Sequence, residues 1–128
     1  MDAAGVVYLA VPYEWQEEMW TGLLYERGHG LSGLLANGVA CPAVASSATY
    51  SVPVRLDSVL TCRLYVAEVR DRSFGLRMEA SLPDGVVALS VNTRHVWCRM
   101  RGSVALEPSP LPDWLCELLA GESQVSPR

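Results

Sequence analysis

The feature that most constrains this 128-residue chain is a period-two alternation running through its second half. Leu60, Cys62, Leu64 and Val66 alternate with Thr61, Arg63, Tyr65 and Ala67. After Arg70-Asp71-Arg72, the residues Phe74, Leu76, Met78, Ala80 and Leu82 alternate with Gly75, Arg77, Glu79 and Ser81. Successive side chains of a strand point to opposite faces, so each run predicts a strand with one buried face. Arg70-Asp71-Arg72 is polar and tight enough for a hairpin turn, and Pro83-Asp84-Gly85 is a strong turn. Val87, Leu89 and Val91 then open a further strand reaching about Met100. An antiparallel sheet of this kind needs an apolar cover on its buried face.

The cover lies upstream. Pro12 stands where a first-turn proline suits a starting helix. From Tyr13 to Glu26, Trp15, Met19 and Leu23 recur at i, i+4 and i+8, with Trp20 and Leu24 on an adjoining stripe. So wide an apolar arc predicts a helix embraced by its surroundings. Gly28 and Gly30 are stop signals, and 30–38 reads as a loop or short helical turn. Residues 39–54 are rich in Ala, Ser and Val and read as extended, with Pro42 and Pro53 confined to the ends. Pro112 to Leu119 reads as a short C-terminal helix and 121–128 as a flexible tail. The expectation is an α+β fold, one domain over 1–120, in which an antiparallel sheet wraps one long helix. Two separate cores in so short a chain would each be marginal.

Composition removes several function classes. Half the residues are apolar and 19% are charged, which excludes a disordered chain. No eighteen apolar residues run uninterrupted, which excludes a spanning helix and a membrane partner. The start carries Asp2 and no basic segment, so a cytoplasmic location is expected. Net charge is −4, against general nucleic-acid affinity. Every basic residue is arginine, and 55–101 holds eight arginines against five acids. Arginine's planar fork suits phosphate, although solvated sheet faces account equally well for charge alone. Cys41, Cys62, Cys98 and Cys116 form no C-x-x-C pair, and neither His29 nor His95 has a second ligand nearby. No metal and no cofactor are expected, and the cysteines read as small, mostly buried residues.

The stretch with most chemistry is the start: Asp2-Ala3-Ala4-Gly5-Val6-Val7-Tyr8, then Trp15 and Glu17-Glu18. A carboxylate ahead of a glycine turn and a helix start suits thioester chemistry. The helix N-terminus offers unpaired N–H groups to polarise a carbonyl oxygen. A carboxylate a few residues earlier can reach the same carbon as nucleophile, or as base for a water. Asp-x-x-Gly is also an ordinary turn or helix cap, so the spacing does not decide by itself.

The stretch resembles the active-site signature of the 4-hydroxybenzoyl-CoA thioesterase family of hotdog-fold proteins, D-x-x-G-[IV]-V-[YW] before a helix with an acidic pair. The likeness continues through Leu56-Asp57-Ser58-Val59-Leu60, through Glu68-Val69-Arg70-Asp71-Arg72-Ser73-Phe74, and to Pro110-Leu111-Pro112 before the last helix. It covers residues 2 to about 119. The resemblance implies a hotdog fold, a homodimer or homotetramer with sites at an interface, and hydrolysis of an acyl-CoA without cofactor. It implies Asp2 as the catalytic carboxylate, with Gly5 at the turn and the Leu9 backbone N–H aimed at the thioester oxygen. Tyr8, Trp15 and Glu17 would line the substrate site, and Arg70, Arg72 and Ser73 would hold the CoA nucleotide. Residue by residue, ordinary roles compete: Glu17 as a solvated helix edge, Trp15 as core, Arg70 and Arg72 as an exposed turn. Pro12 departs from the family's aromatic at that point. The family also has a strand before the aspartate, so the functional protein is expected to begin upstream of Met1.

Three functions follow from this reading. The first is a thioesterase acting on acyl-CoA, with aromatic acyl groups among the candidates. The second is a thioesterase releasing an acyl or polyketide chain from a carrier protein. The third is a non-catalytic acyl-binding hotdog module. Turnover of one acyl group on CoA, on carrier protein and on N-acetylcysteamine separates them.

Overall fold

The computed structural model describes residues 11–54, 58–101, 105–121 and 124–127. Helix α1 (Val11–Glu26) carries Pro12 in its first turn, where a missing N–H costs nothing. It ends where Gly28 takes φ 81°, the left-handed conformation that glycine adopts without strain. There His29 N–H donates to Leu24 O at 2.8 Å and Gly28 N–H to Tyr25 O at 3.0 Å, satisfying the last carbonyls. The segment expected as a loop or turn holds the short helix α2 (Leu31–Ala36).

Strands β1 (Val39–Ala40) and β2 (Ala43–Tyr50) follow, then β3 (Thr61–Val69), β4 (Ser73–Ser81) and β5 (Val87–Val96). Then come β6 (Cys98–Arg101), β7 (Ala105–Pro108), helix α3 (Asp113–Gly121) and β8 (Gln124–Pro127). Five strands form one antiparallel sheet in the order β2-β5-β4-β3-β8, and β1-β6-β7 form a smaller one. The fold is α+β, as expected. No described helix is long and apolar enough to cross a membrane.

Both turns are where the sequence puts them. Asp84 Oδ1 accepts from Val86 N–H at 2.9 Å and Gly85 takes φ 90°, closing the β4–β5 hairpin. At the β3–β4 hairpin Arg70 N–H donates to Ser73 O at 2.8 Å. Two further donors fix that tip: Trp97 N–H to Arg72 O and Leu111 N–H to Asp71 O, both at 2.9 Å.

The alternation predicts the buried face well. Cys62, Leu64, Phe74, Leu76, Met78, Ala80, Leu89 and Val91 are all buried. Against them α1 lays Met19, Trp20, Leu23 and Leu24, while α3 adds Leu115, Leu118 and Leu119. Trp20 meets Phe74 at 5.2 Å between ring centroids, tilted by 51°. A bulge between Val66 and Glu68 shifts the β3–β4 register, so that Glu68 lies opposite Gly75 and Gly75 opposite Arg94.

Four expectations are corrected. The inward stripe of α1 runs through Pro12 and Gln16, both buried, whereas Trp15 is only half-buried beside the core. The strand expected from Val87 to Met100 breaks at Trp97 into β5 and β6, which belong to different sheets. Trp97 is buried edge-on to Trp114 at 5.9 Å, with its N–H given to Arg72 O and its carbonyl taking Ser109 N–H. Residues 124–127, read as part of a flexible tail, form β8 alongside Thr61–Leu64 of β3. Cys116 is exposed and Cys41 half-buried, so only Cys62 and Cys98 are the buried residues expected.

Candidate active site

Between α1 and the exposed end of the large sheet lies a cavity of about 500 Å³. Tyr13, Gln16, Glu17 and Trp20 come from α1, Ser46 from β2, Leu76 from β4, and Thr93 and His95 from β5. The elements explain the grouping. Gln16 and Trp20 are four apart on α1 and so share a face. Thr93 and His95 are two apart on β5 and so share the helix-facing side, with Leu76 paired across from Thr93.

A chain of hydrogen bonds runs through the inner end of the cavity. Gln16 Nε2 donates to Thr93 Oγ1 at 2.9 Å. Thr93 Oγ1 lies 3.0 Å from His95 Nε2, and His95 Nδ1 lies 3.4 Å from the Cys41 carbonyl oxygen. Burial lowers the His95 pKa below the usual histidine value; the Cys41 carbonyl and the Glu17 carboxylate oppose that shift. His95 is 4% exposed and stacks on Phe74 at 5.2 Å, 9° from parallel. Burial, then Cys98 and Glu17, push the Cys41 thiol up to about 12, which keeps it protonated and unreactive.

Of the residues expected at the site, Asp2, Gly5, Tyr8 and Leu9 lie outside the described residues. Glu17 is exposed on α1 and lines the cavity; Trp15 packs beside the core and does not line it. Arg70, Arg72 and Ser73 gather at the β3–β4 hairpin. Arg70 pairs with Glu68 and Arg72 with Asp71, each at 3.4 Å, with both arginine side chains more than half exposed. Ser73 Oγ accepts from Arg94 Nη1 at 3.4 Å, and Arg94 is itself paired with Glu68. These exposed pairs contribute little to stability, so the arginines are not committed to a structural role.

The sequence reading missed Gln16, Thr93 and His95 as a group. One signal was available: Gln16 interrupts the apolar i, i+3, i+4, i+7 stripe completed by Met19, Trp20 and Leu23. A polar residue there must find a partner when buried. Which partner was not readable, because Thr93 is 77 residues away.

A family model described as the thioesterase-like superfamily matches residues 1–119. No curated protein matches the chain. Among solved structures, a gentisyl-coenzyme A thioesterase is 26% identical, with a TM-score of 0.75 over 91% of this chain and 90% of that one. A 1,4-dihydroxy-2-naphthoyl-CoA thioesterase from Synechocystis is 21% identical with a TM-score of 0.79, covering 94% and 87% of the two chains. The dynemicin thioesterase is 19% identical with a TM-score of 0.81, covering 94% and 86%. At these identities the last two are likenesses of fold.

Proposed function

This chain belongs to the thioesterase-like superfamily and is a thioester hydrolase of the hotdog fold, and from that premise we propose that its substrate is an acyl-CoA whose acyl group enters the α1 cavity. The cavity is the observation that carries the reading. It has the volume of a small-molecule site, aromatic and aliphatic walls, and a few placed polar groups. The likeness to a gentisyl-coenzyme A thioesterase adds support for an aromatic acyl group.

In this reading Asp2 is the essential carboxylate, attacking the thioester carbon or activating the water that does. Leu9 N–H, beyond the Gly5 turn, stabilises the oxygen as it gains charge. The C–S bond breaks, water supplies the new C–O bond, and free acid and CoA leave. Tyr8 and Glu17 border the acyl group, and Arg70, Arg72 and Ser73 meet the nucleotide phosphates, while Trp15 backs the core and not the cavity. A homodimer is supported by β2: it is an outer strand, largely exposed, and residues 39–54 contain no charged residue. Monomeric proteins usually protect such an edge with charge.

A carrier-protein thioester is the second reading. Its support is that Arg70 and Arg72 already have carboxylate partners in Glu68 and Asp71.

One experiment tests these points together: thiol release from one aromatic acyl group carried on CoA, on carrier protein and on N-acetylcysteamine. Asp2→Asn is expected to lower turnover by about 10²–10⁴ on every thiol. Arg70→Ala with Arg72→Ala is expected to raise KM for the CoA thioester alone. Wild-type turnover by Asp2→Asn would overturn the mechanism, and faster turnover on carrier protein would select the second reading.

A further inference from the structure

On the side of the sheet turned away from α1, one carboxylate sits between two guanidinium groups. Glu68 lies opposite Gly75, and Gly75 opposite Arg94. A Cβ on Gly75 would crowd Glu68 Cγ at 3.3 Å, so the glycine leaves Glu68 its room. From there Glu68 Oε1 pairs with Arg94 Nη2, and Glu68 Oε2 with Arg70 Nη2 at 3.4 Å. Arg94 Nη1 also donates to Ser73 Oγ at 3.4 Å. All of this is open to water: the Glu68 and Arg94 side chains are 37% and 36% exposed. Beside them the sheet surface holds a cavity of about 370 Å³. Among the described residues that line it, Glu68 is the one acid and Arg94 the one base.

A guanidinium fork meets carboxylate and phosphate oxygens with the same geometry. Glu68 gives one oxygen to each arginine, as a phosphate bridging the two would. Ion pairs this exposed contribute little to stability, so exchanging one anion for another there costs little. Resting on the reading above that this hairpin meets substrate phosphates, we propose that Glu68 is a displaceable internal anion. It occupies a phosphate site formed by Arg70, Arg94 and Ser73, and the phosphate group of an incoming ligand takes its place. Two arginines bring two positive charges and Glu68 cancels one, so Glu68 sets how tightly the phosphate is held. Arg94, which the sequence reading left aside, becomes a binding residue. A purely structural Glu68, holding both arginines in place, has the opposite consequence: its loss would weaken anion binding.

The test uses the full chain and calorimetric binding of CoA and of inorganic phosphate. Glu68→Gln keeps the shape of the side chain and removes its charge. It is expected to tighten binding roughly three- to tenfold, a gain that shrinks with added salt. Adding Arg94→Gln is expected to abolish the gain, and Arg94→Gln alone to weaken binding. Unchanged or weaker binding by Glu68→Gln, or a gain that survives Arg94→Gln, would overturn the proposal. Should Glu68→Gln fail to fold, equal binding by wild type and Arg94→Gln would overturn it. A gain with inorganic phosphate alone upholds the exchange with free phosphate as the ligand; a gain with CoA as well makes the ligand the substrate's own phosphate. Turnover keeps the two claims apart. Tighter phosphate binding without hydrolysis of any acyl-CoA would uphold the exchange while the acyl-CoA reading fails. Hydrolysis with a KM indifferent to Glu68→Gln would leave that reading standing and overturn the exchange.

Discussion

His95 meets Phe74 and Trp20 with its ring, Cys41 O with Nδ1 and the Thr93 hydroxyl with Nε2; the Glu17 carboxylate is the nearby charge. Burial disfavours its charged form, so the folded state binds this proton less readily than the unfolded chain does. The unfolded state therefore holds the extra proton below the ordinary histidine pKa, and stability rises with pH there. Urea unfolding midpoints are expected to fall as pH drops below about 6.5, and His95→Gln is expected to flatten that dependence. An equally steep decline in His95→Gln would place the acid sensitivity elsewhere. Protonation would also make His95 Nε2 a donor to Thr93 Oγ1.

At the scale of elements, α1 and the β3–β4–β5 meander hold the molecule together through one shared face. Phe74 is fully buried between Trp20 and His95. Phe74→Ala is expected to cost about 3–5 kcal/mol in chemical denaturation, and Phe74→Leu distinctly less. Equal costs would mean that the ring contacts with Trp20 and His95, and not bulk, carry the contribution. These same elements were legible in advance, because alternation, the Pro83-Asp84-Gly85 turn and Gly28 are local signals. The elements that escaped depend on distant partners. Nothing local in Val87–Met100 marks Trp97 as a break; its backbone is drawn away by Arg72 and Ser109. Gln124–Pro127 is a poor strand by composition and takes its form from the open edge of β3. Inside the site, the helical spacing and the resemblance point to Trp15, yet the neighbouring Gln16 faces the sheet, since one step along a helix turns a side chain by about 100°.

The whole sheet has two dissimilar edges. On one side β8 covers four residues of β3; on the other, β2 presents eight residues without charge. The proposed dimer uses the second edge. Ser47→Lys, on β2 opposite Asn92, is expected to shift light-scattering mass from dimer to monomer without altering the circular dichroism spectrum. An unchanged mass would move the interface off β2. Across the sheet, the bulge at Ala67 acts as a change of reading frame. Up to Val66 the even-numbered residues of β3 face α1; beyond it Val69 shares that side with Phe74, while Glu68 shares the opposite side with Gly75. Were the frame unbroken, Glu68 would carry its carboxylate into the apolar layer beneath α1, and the pairing with Arg70 and Arg94 would have no acid. One inserted residue thus sets the parity of the hairpin that presents the arginines. In this strand, length by a single residue is information of the same rank as side-chain identity.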